Sequence, residues 1–410
     1  MRPRTLWLAA VAAAVLAGSG CTAVVSGTGR PADGASPAPA TSTPTPTTAP
    51  SPQVKLLRGK VREAHRLAGV VQRPDVTFPE FDRSCAPTGT YYSLDSLTAF
   101  GGVFPVTAVP ALRRGGYRTG YAQCRALGSS RSLIAAAFEM RDRAACARAA
   151  RDLALALRGR GARLVGIRGL PGSYSVEQLN QPDPGDPTKR TNLVQRIVPR
   201  GSVLNYVWAR SPDLRTGRDA AARVLLGQLE RLKGFQVTPA DQLPELDDDP
   251  QGLRARHAAL AGAITAENGG YDLPGYLAMA EDVGFERDLL SRDGLTEYFF
   301  AGATNQEAGG YVYRGVGLYQ LRDEAAARDV VTQFTVLDKR ITQQIKILTV
   351  AGVPPGSFCF AKGDQFGQID QRCFFHKGLV AVQVDVTAAT RTFTEVAELA
   401  KLVRAQFDKL

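Results

Sequence analysis

The stretch "MRDRAACARAA", Met140–Ala150, returns 181 residues later as "LRDEAAARDVV", Leu321–Val331. In both, an Asp stands just ahead of an alanine-rich helical run. A carboxylate there accepts the free N–H groups of the first turn and complements the helix dipole. The alanines that follow let the helix lie close to a neighbouring sheet. Arg141-Asp142 and Arg322-Asp323 therefore read as helix starts, not as paired catalytic groups.

The similarity extends outward from these stretches. Strand-like runs precede each: "GYRTGYAQCRA" and "SLIAAAFEM" in the first copy, "LTEYFFAGAT" and "GGYVYRGVGLYQL" in the second. Apolar residues at three-to-four spacing then predict helices over Arg141–Leu157 and Arg322–Ile341. Gly/Pro punctuation follows, as "GIRGLPGSY" and "VAGVPPGSF". Next come the hairpins "NLVQRIVPRGSVLNYVWA" and "RCFFHKGLVAVQVDV", with Arg200-Gly201 and Lys377-Gly378 at their turns. Each copy closes on an amphipathic helix, "GRDAAARVLLGQLERL" or "TRTFTEVAELAKLVRAQF". The fold class expected is α+β, with two tandem, duplicated β-β-α-β-β-β-α modules. Their sheets should be mostly antiparallel, with helices packed on one face.

The ends and joints divide the chain. Arg2 and Arg4 precede an apolar run, and "LAGSGC" closes on Cys21, as in a bacterial lipoprotein signal spanning residues 1–20. Gly18 stands where such signals usually carry Leu, Val or Ile, so cleavage by ordinary signal peptidase and release of a soluble product is the alternative. Acyl chains on Cys21 would anchor the protein to the membrane, outside the cytoplasm. Residues 21–53 are a Ser/Thr/Pro-rich stretch without side chains able to pack, and read as a disordered tether. Modules are expected over 54–240 and 253–410, joined by an acidic, Pro-rich linker over 241–252. Asp247–Asp249 in that linker lack the Gly and spaced Glu of a calcium loop and read as solvated.

The chain has 410 residues and 50 Lys+Arg against 39 Asp+Glu, a net charge of +11. No tight basic cluster with interleaved aromatics appears, so nucleic acid is not an expected partner. Besides Cys21, five cysteines remain. Cys359 and Cys373 bracket a hairpin-like stretch and are expected to pair, as are Cys85 and Cys124. Cys146 reads as a buried thiol in a helix.

With these features in place, the chain resembles the large lipoproteins of unknown function from mycobacteria, nocardias and related actinobacteria. The shared features are the lipobox and tether, a strand entering an "RD.AAA" helix and a "GxPG" turn. They also include the joint "LPELDDDPQGLRAR" and a cysteine pair in the second module. The resemblance implies location and architecture, and carries over no catalytic residue.

No motif for metal, phosphate or nucleophilic chemistry is found, and no cofactor or metal is expected. His65 and His257 read as surface residues and His376 as a turn residue. Ser173 and Ser357 follow Pro-Gly turns; a nucleophile there would need a base and an oxyanion donor, and duplication in both modules favours turn chemistry. Tyr117, Tyr121, Tyr298, Phe299, Phe300, Tyr311, Tyr313 and Tyr319 crowd the paired strands. The function expected is a non-enzymatic envelope protein binding an apolar, glycan or protein ligand, with an aromatic cleft where the modules meet. A structural or antigenic surface protein, and a hydrolase using Ser173 or Ser357, are the alternatives.

Overall fold

Each Arg-Asp stretch starts a helix. Asp142 Oδ1 accepts the Ala145 N–H at 2.7 Å, and Asp323 Oδ1 accepts that of Ala326 at 2.8 Å. These bonds, with the adjacent Arg141 and Arg322, hold both carboxyls below the usual range. The computed structural model describes residues 51–81, 83–98, 102–128, 130–159, 161–183, 186–260, 263–264, 268–307, 310–341, 345–363, 369–388 and 396–410. The signal, Cys21 and the tether as far as residue 50 lie outside the described residues; the last part of the expected tether is corrected, since Ser51 caps a helix that starts at Pro52.

The N-terminal half runs α1 (Pro52–Val70), α2 (Pro74–Thr77), β1 (Arg83–Tyr91), α3 (Val109–Arg114), β2 (Thr119–Leu127), β3 (Arg131–Glu139) and α4 (Arg143–Leu157). It continues with β4 (Arg163–Gly166), β5 (Tyr174–Pro182), β6 (Arg190–Arg200), β7 (Val203–Ser211) and α5 (Leu214–Arg231). The second half runs β8 (Ala263–Ile264), β9 (Gly269–Tyr271), α6 (Leu273–Leu277), α7 (Val283–Arg292), β10 (Glu297–Glu307), β11 (Gly310–Gln320) and α8 (Glu324–Ile341). It ends with β12 (Ile345–Ile347), β13 (Phe358–Gly363), β14 (Ile369–Lys377), β15 (Val380–Ala388) and α9 (Ala397–Lys409).

The fold is α+β, with two antiparallel sheets. Among the described residues, one sheet has seven strands in the order β1-β2-β3-β7-β6-β5-β4. The other has eight, in the order β12-β13-β14-β15-β11-β10-β8 with β9 also on β10. From β2 to α5 and from β10 to α9 the element order is the same, β-β-α-β-β-β-β-α. It differs from expectation by one short strand, β4 or β12, between the first helix and the Gly/Pro turn. Both hairpins turn where expected, with Gly201 at φ +60° and Gly378 at φ +56°.

The expectation of helices on one face is corrected. Ile134, Ala136 and Phe138 of β3 pack with α4, while Leu133, Ala135 and Ala137 pack with α1 and α5. In the second sheet, Tyr298 and Tyr319 pack with α8, and Phe299 and Leu318 with α9. Each sheet is therefore a middle layer, and its strands bury both faces.

Cys85–Cys124 and Cys359–Cys373 are disulfides between directly opposed residues of β1–β2 and β13–β14. They close loops with sequence separations of 39 and 14 residues. Cys146 is a free thiol buried on α4, pushed up to about 12 by burial.

Residues Pro50–Leu410 form one compact unit. The connector between the copies is packed, which corrects the solvated reading. Leu243 and Leu253 are buried, and the Asp248 carbonyl accepts the Gly270 N–H at 2.9 Å. His65 and His257 are not surface residues. His65 is buried, stacks on Tyr271 with ring centroids 3.6 Å apart and lies 3.0 Å from the Gly270 carbonyl. Burial pushes its pKa down to about 3, so it is a neutral imidazole at physiological pH. His257 is half-buried, with the carbonyls of Ala258 and Val316 at 2.6 and 3.3 Å.

Candidate functional site: an aromatic cavity in the second module

The register of the two sheets sets their positions side by side. Ile197 faces Tyr206 across the first hairpin, as Phe374 faces Gln383 across the second. Two residues further from each turn, Gln195 faces Trp208 and Arg372 faces Asp385. On the paired strands before each helix, Gly120 faces Phe138 and Tyr298 faces Tyr319. Counting from the Arg-Asp pairs, Leu153 and Leu157 of α4 correspond to Phe334 and Asp338 of α8.

These substitutions leave one copy filled and the other open. In the first, Tyr206 points its ring into the layer beneath α4. Phe104, from the segment between β1 and β2, closes the space with centroids 4.8 Å from Tyr206 and 5.3 Å from Phe138. In the second, Gln383 replaces the tyrosine, and a cavity of about 260 Å³ lies between the sheet, α8 and the α6–α7 segment.

Aromatic rings build most of its wall. Tyr298 and Tyr319 lie 4.6 Å apart by centroid, Tyr276 meets Tyr298 edge-on at 4.8 Å, and Phe334 lies 5.2 Å from Tyr319. Tyr298 reaches this place because position 317 is glycine: a Cβ there would stand 2.8 Å from the Tyr298 ring. Tyr313 and Phe300 complete the aromatic side.

Charged groups line the rest. Arg372, with 14% of its side chain exposed, donates from Nε to Asp385 Oδ1 at 2.6 Å and from Nη1 to Asp338 Oδ1 at 3.3 Å. Gln383 donates to the other Asp385 oxygen at 2.7 Å and accepts a long bond from the Tyr319 hydroxyl at 3.4 Å. Burial works against the Arg372 charge, but Asp385, Asp370, Asp338 and Glu281 more than offset it and hold the guanidinium protonated. Burial raises Asp338 and Asp385 above the usual carboxylate range, against the pull of Arg372.

Glu286 occupies the other end of the cavity. It accepts from the Tyr276 hydroxyl and, at 2.8 Å, from the Asp282 N–H. Burial pushes its pKa up to about 7, opposed by those bonds and assisted by Glu281. Between the ordinary glutamate value and pH 7, the folded protein keeps a proton that the unfolded chain has lost. The resulting stability is full below the unfolded pKa and is lost as pH rises through about 7. Its size is on the order of 3 kcal/mol. Glu139 and Glu297, also raised to about 7 by burial, add to the same slope. Glu286→Gln should flatten stability between pH 4.5 and 7 by roughly a third, read by urea denaturation across that range. An unchanged slope would remove Glu286 from this account.

The cavity wall is held from the other half of the molecule. Arg73 donates to the Leu277 and Ala280 carbonyls at 2.7 and 2.6 Å, and Gln123 to that of Ala278 at 2.8 Å. Met279, Ala280 and Glu281, just beyond α6, line the cavity. Of the aromatics singled out from the sequence, Tyr298, Phe300, Tyr313 and Tyr319 meet here, within the second module. Tyr117 and Tyr121 pack in the first module, and Phe299 packs on the α9 face. The side chain of Tyr311 is outside the described residues. Where the halves meet, a larger groove has Asp75, Arg125, Glu281, Arg287 and Lys362 among its lining, beside Val76, Pro79 and Val283. Glu281 lines both spaces.

The remaining sequence candidates have structural partners. Ser357 donates to the Pro354 carbonyl at 2.6 Å, and the Ser173 and Ser357 N–H groups close equivalent turns at 3.2 Å. His376 Nε2 lies 3.9 Å from Glu324. Asp249 accepts the Arg254 N–H at 2.9 Å, and Asp247 that of Asp249 at 2.9 Å. Among the described residues no group of three His, Cys, Asp or Glu side chains is placed to hold a metal ion.

The fold and the cavity define a duplicated antiparallel α+β protein with one filled and one open copy. Residues 51–248 match the model of DUF7373, N-terminal, a domain of unknown function. No curated protein matches the sequence. Among solved structures, the extracellular domain of PknH from Mycobacterium tuberculosis is matched at 8% identity, covering 41% of this chain and 96% of that one. Its TM-score is 0.28, too loose a superposition to bear on fold or function. The two disulfides fit an extracytoplasmic protein. Among the described residues no helix is long and apolar enough to cross a membrane.

Proposed function

We propose that this chain is a non-enzymatic, extracytoplasmic binding protein, tethered to the membrane by a lipid on Cys21, whose small ligand occupies the aromatic cavity of the second module. The contrast between the copies carries this reading. Tyr206, Trp208 and Leu157 make a packed layer, with Gln195 accepting from the Tyr206 hydroxyl, where Gln383, Arg372 and Asp338 line an open space. Leaving such space empty forgoes packing contacts that the first copy makes, and apolar pockets with a few convergent polar groups are the usual form of a ligand site.

Placing the first copy's residue in the second, as Gln383→Tyr, fills the cavity with a side chain the fold already accommodates. Native mass spectrometry of the full chain purified from its own envelope should show a retained small molecule in the wild type and none in Gln383→Tyr. Retention in both, or in neither, counts against the proposal. Labelling with a fatty-acid analogue tests the tether: incorporation should disappear in Cys21→Ala, and equal labelling of both forms rules it out.

A further inference from the structure

We infer that the ligand of this cavity is a small organic cation, an ammonium or guanidinium compound, seated against the rings of Tyr298, Tyr319 and Phe334 with Glu286, Glu281 and Asp338 as counter-charges. This rests on the binding reading above and names the ligand's chemistry. Three observations support it.

The first is charge. The chain as a whole carries +11, yet three carboxyl groups line the cavity against one guanidinium, that of Arg372. Arg372 is already engaged by Asp385 and Asp338. Behind this wall Lys362 lies 3.9 Å from Asp338 and 3.8 Å from Asp370. Asp370 and Asp385 bring the carboxyls around Arg372 and Lys362 to five with Glu281, Glu286 and Asp338, of which Glu281 also faces the groove that holds Arg125 and Arg287. Arg340, which lies over the Phe285 ring, is paired with Asp282.

The second is the state of Glu286. Its partners are a phenol and a backbone N–H, and among the described residues no cationic side chain pairs with it. A buried carboxyl in that position has lost hydration without gaining a counter-charge. A ligand cation would supply one and draw the carboxyl to its ionised form, so binding would release a proton.

The third is the wall itself. Aromatic faces carry negative quadrupole potential and attract cations, most strongly where water is excluded. At equivalent positions the first copy places Gly120, Phe138 and Leu153 where the second has Tyr298, Tyr319 and Phe334. A neutral sugar or hydrocarbon would use the rings but leave the acid excess unexplained. The cavity's 260 Å³ corresponds to roughly nine water volumes, enough for a compact quaternary ammonium or a short alkylguanidine.

The test is calorimetric titration of the full chain at pH 8 with choline, tetramethylammonium and agmatine, beside the carbon isostere of choline, in which a quaternary carbon replaces the nitrogen. At least one cation should bind about tenfold or more tighter than the isostere. Glu286→Gln, which keeps the shape of the site, should erase most of that preference. Cation affinity should also fall as pH drops below about 7 in the wild type and not in Glu286→Gln. Equal affinity for cation and isostere, or an uncharged molecule retained through purification, overturns the cation assignment and leaves the binding reading intact. A retained molecule or probe whose binding is unaffected by Gln383→Tyr overturns both.

Discussion

Arg372→Met should destabilise the protein by about 3–5 kcal/mol, the range for removing one partner of a buried ion pair. Asp385 and Asp338 have 8% and 5% of their side chains exposed and would be left facing each other's field without the guanidinium between them. Their carboxyls already stand above the usual range because of burial, and losing Arg372 raises them further. Stability lost in the variant should therefore return as pH falls and those carboxyls protonate, a dependence weaker in the wild type. Adding Asp385→Leu to Arg372→Met should recover much of the loss, since an apolar pair can replace a buried ionic one at little net cost. Equilibrium denaturation of the four species of this cycle gives the coupling directly. A single-variant loss under about 1 kcal/mol would mean that water, not Arg372, already satisfies the carboxylates.

The second large effect is expected in the other copy. Phe104 is 4% exposed, and its ring fills the layer that stands open in the second module. Phe104→Ala should cost about 3–5 kcal/mol, combining lost transfer energy with the cavity left behind. The space opened would be lined by Phe138 and Tyr206 without the carboxyls of the second copy. It should take up xenon or benzene, as apolar engineered cavities do, and show no preference for cations. A loss below about 1 kcal/mol would show that the first copy is loosely packed there, and the filled-against-open contrast would fail.

Much of the architecture is legible in the order of residues. Asp142 and Asp323 announce helix starts because a cap is a contact over three residues. Gly201 and Gly378 mark hairpin turns because a two-residue loop there needs positive φ. Both signals are local, and both recur, so the duplication can be read without coordinates. The covering of both sheet faces was also readable. "LIAAAF", Leu133–Phe138, is a continuous apolar run, not an alternating one, and such a strand is buried on two sides. A polar pair two residues apart in an otherwise apolar strand, Gln383 and Asp385 in "VAVQVDV", was the available sign of the cavity.

Tertiary structure alone decided where the aromatics meet and which copy stays open. A cavity is the volume left by side chains from β10, β11, β14, β15, α8 and the α6–α7 segment, spread over residues 276–383. No window of sequence contains that sum. His65 shows the same limit: its neighbour Tyr271 lies 206 positions away in the chain, and burial under such distant residues turns one set among Arg and Ala into a neutral imidazole. Sequence by itself determined the repeated parts, the turns and the caps, because each depends on residues close in the chain. Packing between distant strands and helices determined the cavity and its charge, because volume and desolvation are properties of everything that surrounds a group.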